Sequence, residues 1–253
     1  MLNIIRTRLA QGFRTAKYPV PNPPLPGGFR GLPSVDFSRC ETGCRACEKI
    51  CPTGCFAPDN GRPALDLGKC IFCGSCERQC PKGAVGFSTD HRLAVRKRED
   101  LLLSRAGAYR KADALSAAMR RIFGRSLRLR QVSAGGCNAC EADVNVLNTP
   151  VFDISRFGIQ FVASPRHADG LLVTGPVTRN MELALRKTWE ATPAPRIVIA
   201  SGACAISGGL FAGRAETLSG AGAVLPVDLF IPGCPPHPWA ILDGLLRLLG
   251  KIR

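Results

Sequence analysis

A chain of 253 residues has the length of one or two domains. Its composition, 45% hydrophobic and 21% charged, is globular and excludes extensive disorder. No apolar run approaches the roughly 18 residues of a membrane span. Arg6 and Arg8 interrupt the N-terminal apolar run before a signal sequence could form, so a cytoplasmic chain is expected. The formal net charge of +15 is uneven, with residues 1–125 carrying 22 Lys and Arg against 10 Asp and Glu, and the remainder 12 against 9.

In chain order, residues 1–17 read as a basic amphipathic helix. Leu2, Ile5, Leu9 and Phe13 share one face, with Arg6, Arg8, Arg14 and Lys17 elsewhere. Such a helix suits a lipid interface or an apolar core. YPVPNPPLPGGFRGLP follows, whose prolines and glycines forbid regular structure and predict an extended strap; helix and strap make up 1–36.

Thirteen cysteines, an odd number, point in a reducing compartment to metal or redox chemistry rather than disulfides. Nine lie in the segment 37–90. Cys70, Cys73, Cys76 and Cys80, with Pro81 next, have the C-x2-C-x2-C-x3-C-P spacing of bacterial ferredoxins. This spacing wraps three thiolates around one 4Fe–4S cluster while the fourth reaches a second. Cys40, Cys44, Cys47 and Cys51, with Pro52 next, repeat the pattern with one extra residue between the first two. Crossover then gives cluster one Cys40, Cys44, Cys47 and Cys80, and cluster two Cys70, Cys73, Cys76 and Cys51. Zinc, which paired C-x2-C also suits, accounts poorly for two triplets each followed by Cys-Pro. Cys55 matches Ala84 of the second repeat and reads as a small buried hydrophobe with no ligand role.

Residues 91–126 read as a basic connector that holds the domain boundary, with the Ala-rich stretch 101–121 expected to be helical. From 127 to 253 strand and helix signals alternate: LRLRQVS, FGIQFVAS, ADGLLVTG, RIVIASG and AVLPVDLFIPG as strands, CNACEADVNVLN, RNMELALRKTWE and HPWAILDGLLRLLG as helices. This pattern predicts a doubly wound parallel sheet, whose ligands sit beyond the carboxyl ends of the strands. Cys137, Cys204 and Cys234 each follow a strand, and Cys140 lies one helical turn past Cys137, so four thiols converge at one rim. Gly or Pro beside each argues for backbone held close to a bulky ligand. The spacing alone also fits structural thiols.

The text then resembles a known family. Residues 1–103, through the KYP strap, FRG, CIFCGSCE and LAVRKREDLL, look like the ferredoxin-type subunit of formate hydrogenlyase, related to the two-cluster subunit of respiratory complex I. Residues 127–250, through GGCNACE, TGPVTRNM, GACAISGGLF and IPGCPPHP, resemble the small, proximal-cluster subunit of group 4 membrane-bound nickel–iron hydrogenases and its complex I counterpart, the 20 kDa subunit. Two subunits usually separate stand fused. The resemblance implies a third 4Fe–4S cluster on Cys137, Cys140, Cys204 and Cys234, facing a large catalytic subunit. Complex I relatives tend to have adjacent cysteines at the first position; C-x2-C favours the hydrogenase side. His237 and Trp239 stand where the family often has a carboxylate.

The expected fold is therefore α/β and α+β, with a dicluster ferredoxin-like domain over 37–90 and a flavodoxin-like doubly wound sheet over 127–253. The expected function is electron relay through three 4Fe–4S clusters in a formate hydrogenlyase-like hydrogenase complex, peripherally attached to the cytoplasmic membrane. Its partners would be the large subunit, membrane-arm subunits, and a donor such as formate dehydrogenase or ferredoxin. A nickel-free, quinone-reducing complex I-like module is the alternative; a free ferredoxin-type carrier has no use for the strap and second cluster domain. Three clusters at about −2 each would offset part of the basicity. There are 34 basic residues but 16 aromatics with no RNA-binding signature between them, so no nucleic-acid partner is expected. No phosphate loop or hydrolytic triad is present.

No catalytic centre is expected in the chain. Glu141, with Asp143 nearby, is a proton-path candidate or a first-turn acid answering the helix dipole. His91 and His167 lack ligand spacing, and His237 reads as a helix cap or a tuner of a nearby cluster. Arg45, Lys49, Arg78 and Lys82 are expected to raise the potentials of the first two clusters.

Overall fold

The computed structural model describes residues 2–19, 23–41, 43–59, 62–103 and 109–252. The first helix, α1 (Leu2–Gln11), is shorter than the sequence predicts. Gly12 adopts φ +61° and closes the helix, accepting from Arg8 Nη1. Phe13 thus falls outside it. Nothing on α1 is buried, and Leu2, Ile5, Leu9 and Phe13 are all exposed. The chain meets the body at Ala16, before the strap, where the Ala16 amide donates to Val151 O at 2.9 Å. Tyr18 then stacks on Trp239.

The cysteine-rich segment contains two small antiparallel sheets and two short helices. β1 (Pro33–Val35) pairs with β4 (Val85–Phe87), while β2 (Phe56–Asp59), β3 (Arg62–Asp66) and β5 (Leu102–Leu103) form a second sheet. α2 (Ala46–Ile50) and α3 (Ser75–Gln79) lie against each other. Each carries the third cysteine of its run on its buried side, Cys47 or Cys76, and ends at the fourth, Cys51 or Cys80, in extended backbone. The following proline enforces that stop, because it disfavours helical backbone in the residue before it.

The connector departs from expectation. Among the described residues of 101–121, α-helix is confined to α4 (Ala117–Phe123), capped by Ser116, whose hydroxyl accepts from the Met119 amide. The preceding residues spend their backbone bonds elsewhere: Ala112 N donates to Ala94 O and Leu115 N to Leu248 O, burying both side chains. Tertiary contacts have overridden the helix propensity of an Ala-rich sequence. Residues 104–108 of that stretch lie outside the described residues.

The remainder is mixed α/β. Five parallel strands, β6 (Leu127–Ser133), β7 (Ile159–Phe161), β8 (Gly170–Thr174), β9 (Ile197–Ser201) and β10 (Leu229–Ile231), run in the order β10-β9-β8-β6-β7. The last begins later than its sequence signal. Every residue of β8 and β9 is buried, as expected of parallel strands covered on both faces. On one face, Leu127, Leu129, Leu172 and Ile199 pack with Val144 of α5 (Ala139–Val146) and with α8 (Pro238–Leu248). On the other, Leu171, Val173, Val198 and Ala200 pack with Leu185 of α6 (Arg179–Ala191) and Ile206 of α7 (Ala203–Ser207).

That second face also takes Phe56, Leu65, Leu67 and Leu101 into one continuous apolar cluster. The cysteine-rich segment therefore shares its core with the parallel sheet. Val95 caps the free edge of β10, exchanging backbone bonds with Phe230 at 3.0 and 2.9 Å, which removes an open edge.

Candidate metal centres

The two ferredoxin-type runs fold alike. After Cys51 and after Cys80 the chain turns through glycines of positive φ, Gly54 at +57° and Gly83 at +55°. In each turn an amide is delivered to the cysteine sulfur: Cys55 N lies 3.3 Å from Cys51 Sγ, and Ala84 N 3.2 Å from Cys80 Sγ. Amide donors of this kind stabilise thiolate ligands.

Electrostatic neighbours link the two runs. Burial pushes the Cys76 thiol up to about 12, with Cys70, Cys73 and Cys51 contributing in the same direction. The fourth cysteine of the first run thus stands among the first three of the second. Burial likewise raises Cys47 to about 11, and Cys40 is its cysteine neighbour. Cys80 is tied to the same end by flanking contacts. Lys82 Nζ pairs with Glu41 Oε1 at 2.8 Å, and a Cβ on Gly83 would meet the Arg39 guanidinium at 3.2 Å.

Cys55 is buried, as expected, but it is no inert spacer. Its Sγ lies 3.2 Å from Cys51 Sγ and also hydrogen-bonds Cys70. That bond holds Cys51 down at about 5 against the opposing effect of burial. The loop before Cys70 is pinned from behind. Arg98 grips buried Asp66 with two bonds of 2.8 and 2.6 Å, and Asp66 accepts from Gly68 N.

Of the four basic residues expected to face these cysteines, Arg45 pairs with Glu48 and Lys82 with Glu41, so each charge is largely answered by its partner. Arg78 donates to Cys73 O at 3.1 Å, which places its charge at the backbone of the second run.

Cys137, Cys140, Cys204 and Cys234 line a single cavity at the carboxyl ends of the strands, with Gly136, Gly175, Gly233 and Pro235. Burial raises Cys140 to about 12 and Cys204 to about 11, and it raises Cys234. Cys137 reinforces each shift, and Glu141 adds to those of Cys140 and Cys204. Ligation requires thiolates, so buried thiols of this kind give up protons when metal binds. Glycines beside the cysteines leave no room for a side chain. A Cβ on Gly202 (φ +96°) would stand 2.7 Å from Cys140 Sγ, and one on Gly209 2.9 Å from Cys204 Sγ. Four sulfurs in a close glycine-walled cradle fit a four-thiolate cluster.

Glu141 is buried, lines this cavity and accepts from Thr174 Oγ1 at 2.6 Å. Burial raises its carboxyl, but hydrogen bonds with Ser133 and Thr174 prevail and hold it below the usual range. It stands in the first turn of α5 as a fixed, bonded carboxylate. His237 caps α8, its Nδ1 accepting from Trp239 N at 3.2 Å, and shares a second cavity with Cys234, Ile71 and Phe72. His91 is bonded to the Tyr18 hydroxyl away from the cysteines.

Sequence reasoning missed Ser207. Its hydroxyl, on the cysteine-bearing helix α7, donates to Gly68 O at 2.8 Å in the loop before Cys70. Nothing in its spacing marks it.

Residues 137–248 match the family model described as NADH ubiquinone oxidoreductase, 20 Kd subunit, and residues 39–85 match a 4Fe-4S dicluster domain. The protein described as "Probable membrane-bound hydrogenase subunit mbhJ" of Pyrococcus furiosus is 45% identical over 132 residues, 52% of this chain and 79% of that protein. The chain belongs to the 20 Kd subunit family.

Formate hydrogenlyase subunit 7 of Escherichia coli is 44% identical over 54% of this chain and 54% of its own length. An NADH-quinone oxidoreductase subunit of Desulfovibrio desulfuricans is 44% identical over 45% of this chain and 61% of its own length. The 20 Kd match opens on Cys137 and closes at the end of α8, so it contains all four cysteines of the glycine-walled cavity. The dicluster match spans both ferredoxin-type runs. The fused arrangement read from the sequence is thus found.

Proposed function

We propose that the chain is the iron–sulfur electron-transfer subunit of a membrane-associated, formate hydrogenlyase-like group 4 nickel–iron hydrogenase complex. In this reading Cys40, Cys44, Cys47 and Cys80 hold one 4Fe–4S cluster, Cys70, Cys73, Cys76 and Cys51 a second, and Cys137, Cys140, Cys204 and Cys234 a third. Bound there, such clusters supply one-electron transfer at potentials set by burial and by hydrogen bonds to sulfur.

The observation that carries the reading is the adjacency of the second and third sets. Burial raises the Cys234 thiol, and Cys70 is one of the two thiolates that add to it. The Gly68–Ser207 bond joins the loop before Cys70 to α7, which bears Cys204 of the third set. The chain's own work is positional. Asp66 and Arg98 fix the loop before Cys70, Glu141 anchors the start of α5, and glycines admit the cradle of the third set.

The strand order, read from β6 as 2-1-3-4-5, supports a flavodoxin-like doubly wound domain over 127–253. Beside it, 1–36 serve as helix and strap, 37–90 as a ferredoxin domain and 91–126 as connector. The catalytic large subunit is a separate chain, with membrane-arm subunits and a donor such as formate dehydrogenase or ferredoxin completing the complex. No helix among the described residues is long and apolar enough to cross a membrane; attachment to the cytoplasmic membrane is through the complex. We assign no catalytic residue to this chain, and Glu141 is read as an anchor.

The likeness to an NADH-quinone oxidoreductase subunit favours one second reading, a nickel-free quinone-linked module. Nickel per chain decides between them, measured on the complex isolated anaerobically from source membranes through a tag on this subunit. About one nickel is expected; iron without nickel, with a large subunit present, would establish the second reading.

A further inference from the structure

We propose that Cys55 is a thiol hydrogen-bond donor to the ligand sulfurs Cys51 and Cys70, raising the reduction potential of the cluster they hold above that of its repeat-related neighbour. The proposal rests on the ligand sets given above. Its foundation is a broken symmetry.

Cys51-Pro52-Thr53-Gly54-Cys55 and Cys80-Pro81-Lys82-Gly83-Ala84 are the same turn. The glycines share their positive φ, the last amide of each turn reaches the cysteine sulfur at 3.3 or 3.2 Å, and the last residue is buried in each, 3% exposed at Cys55 and 4% at Ala84. What differs is what surrounds the sulfur. At Cys51 a thiol lies 3.2 Å away and the Thr53 hydroxyl 3.5 Å away. At Cys80 the corresponding residues are Ala84, whose side chain has no donor, and Lys82, which is drawn off to Glu41.

Cys55 stands where the two runs meet. Cys51 ends the first and Cys70 opens the second, and Cys55 contacts both sulfurs. Its single proton serves one of them at a time, and both belong to the same proposed cluster. Ligation makes Cys51 a thiolate that can only accept, so the proton of the 3.2 Å pair belongs to Cys55. Reduction of a cluster adds one negative charge, spread partly onto its ligand sulfurs. A donor aimed at them stabilises the reduced state more than the oxidised one and raises the potential. The cluster so favoured is the one beside the third set, where a higher potential draws electrons toward the 20 Kd portion.

The test is an anaerobic redox titration of the full chain followed by electron paramagnetic resonance, with iron counted in every sample. Cys55→Ala is expected to keep its iron and to move one ferredoxin-type cluster three- to tenfold toward the oxidised state. At about 59 mV per tenfold change for a one-electron couple, that is a fall of roughly 30–60 mV. Cys55→Ser, which keeps a donor, is expected to move it less. Ala84→Cys, which installs the missing thiol in the other turn, is expected to raise the other cluster. Unchanged potentials in Cys55→Ala, equal falls in both clusters, or loss of about four iron atoms would overturn the role. Absence of both ferredoxin-type signals from the unsubstituted chain would overturn the ligand sets, and the role of Cys55 with them.

Discussion

Ser207 and Gly68 are 139 residues apart in sequence, yet the serine hydroxyl donates to the glycine carbonyl at 2.8 Å in a buried junction. Each sits beside a cysteine of a different proposed cluster set. The approach is as close as the chain allows: a Cβ on Gly68 would stand 2.8 Å from Ile206 Cγ2 and 2.7 Å from the Arg98 guanidinium carbon. The junction joins the ferredoxin-type segment to the parallel sheet where electrons would cross.

Ser207→Ala should leave the Gly68 carbonyl without its donor and cost about 1–3 kcal/mol. Gly68→Ala should cost more, because Ile206 and the Arg98 pair must both move. Chemical denaturation of both variants tests the order. Equal stability of Gly68→Ala and the unsubstituted chain would show that the junction is not close-packed.

Gly202 lies at φ +96° against Cys140 Sγ. Gly202→Ala is expected to lose about four of the iron atoms while the spectra of the two ferredoxin-type clusters persist. Full iron with three intact signals would show that the cradle does not need the space.

Much of this was legible beforehand, and the exceptions share a cause. The spacing of Cys70 to Pro81, and its repeat from Cys40, carry their chemistry locally, and the strands around Cys137, Cys204 and Cys234 announce themselves by apolar runs. Residues 101–121 misled because Ala richness favours helix only when nothing competes; Ala94 O and Leu248 O compete for the amides of Ala112 and Leu115. Ser207 and Cys55 were illegible as contacts because their partners are set by packing and not by spacing. Arg45 and Lys82 looked like charges aimed at clusters until Glu48 and Glu41 took them up.

Thr174 holds the buried Glu141 carboxylate by a 2.6 Å bond. Thr174→Val should cost about 1.5–3 kcal/mol, the range for a hydrogen bond to a charged group, and Thr174→Ser should restore most of it. Denaturant midpoints measure both. A loss in Thr174→Val that serine fails to restore would assign the effect to packing.

His91 is buried and bonded to the Tyr18 hydroxyl, which in turn donates to Asp243 at 2.7 Å. Burial lowers the His91 pKa; Asp243 and Asp90 oppose this, and Arg92 and Lys111 add to it. An unfolded histidine binds its proton more readily, so the unfolded state gains protons first as pH falls. This contribution to stability is complete above about pH 6.5 and is lost progressively below it. Melting temperatures between pH 7.5 and 5.5 should fall more steeply in the unsubstituted chain than in His91→Gln. Parallel slopes would remove His91 from the account.

The most direct test of the central claim is the iron, acid-labile sulfide and zinc content of the anaerobically prepared chain. The three ligand sets require about 12 iron and 12 sulfide per chain, with no stoichiometric zinc. About eight iron would leave one set without its cluster, and a colourless, zinc-loaded chain would contradict the electron-transfer reading altogether.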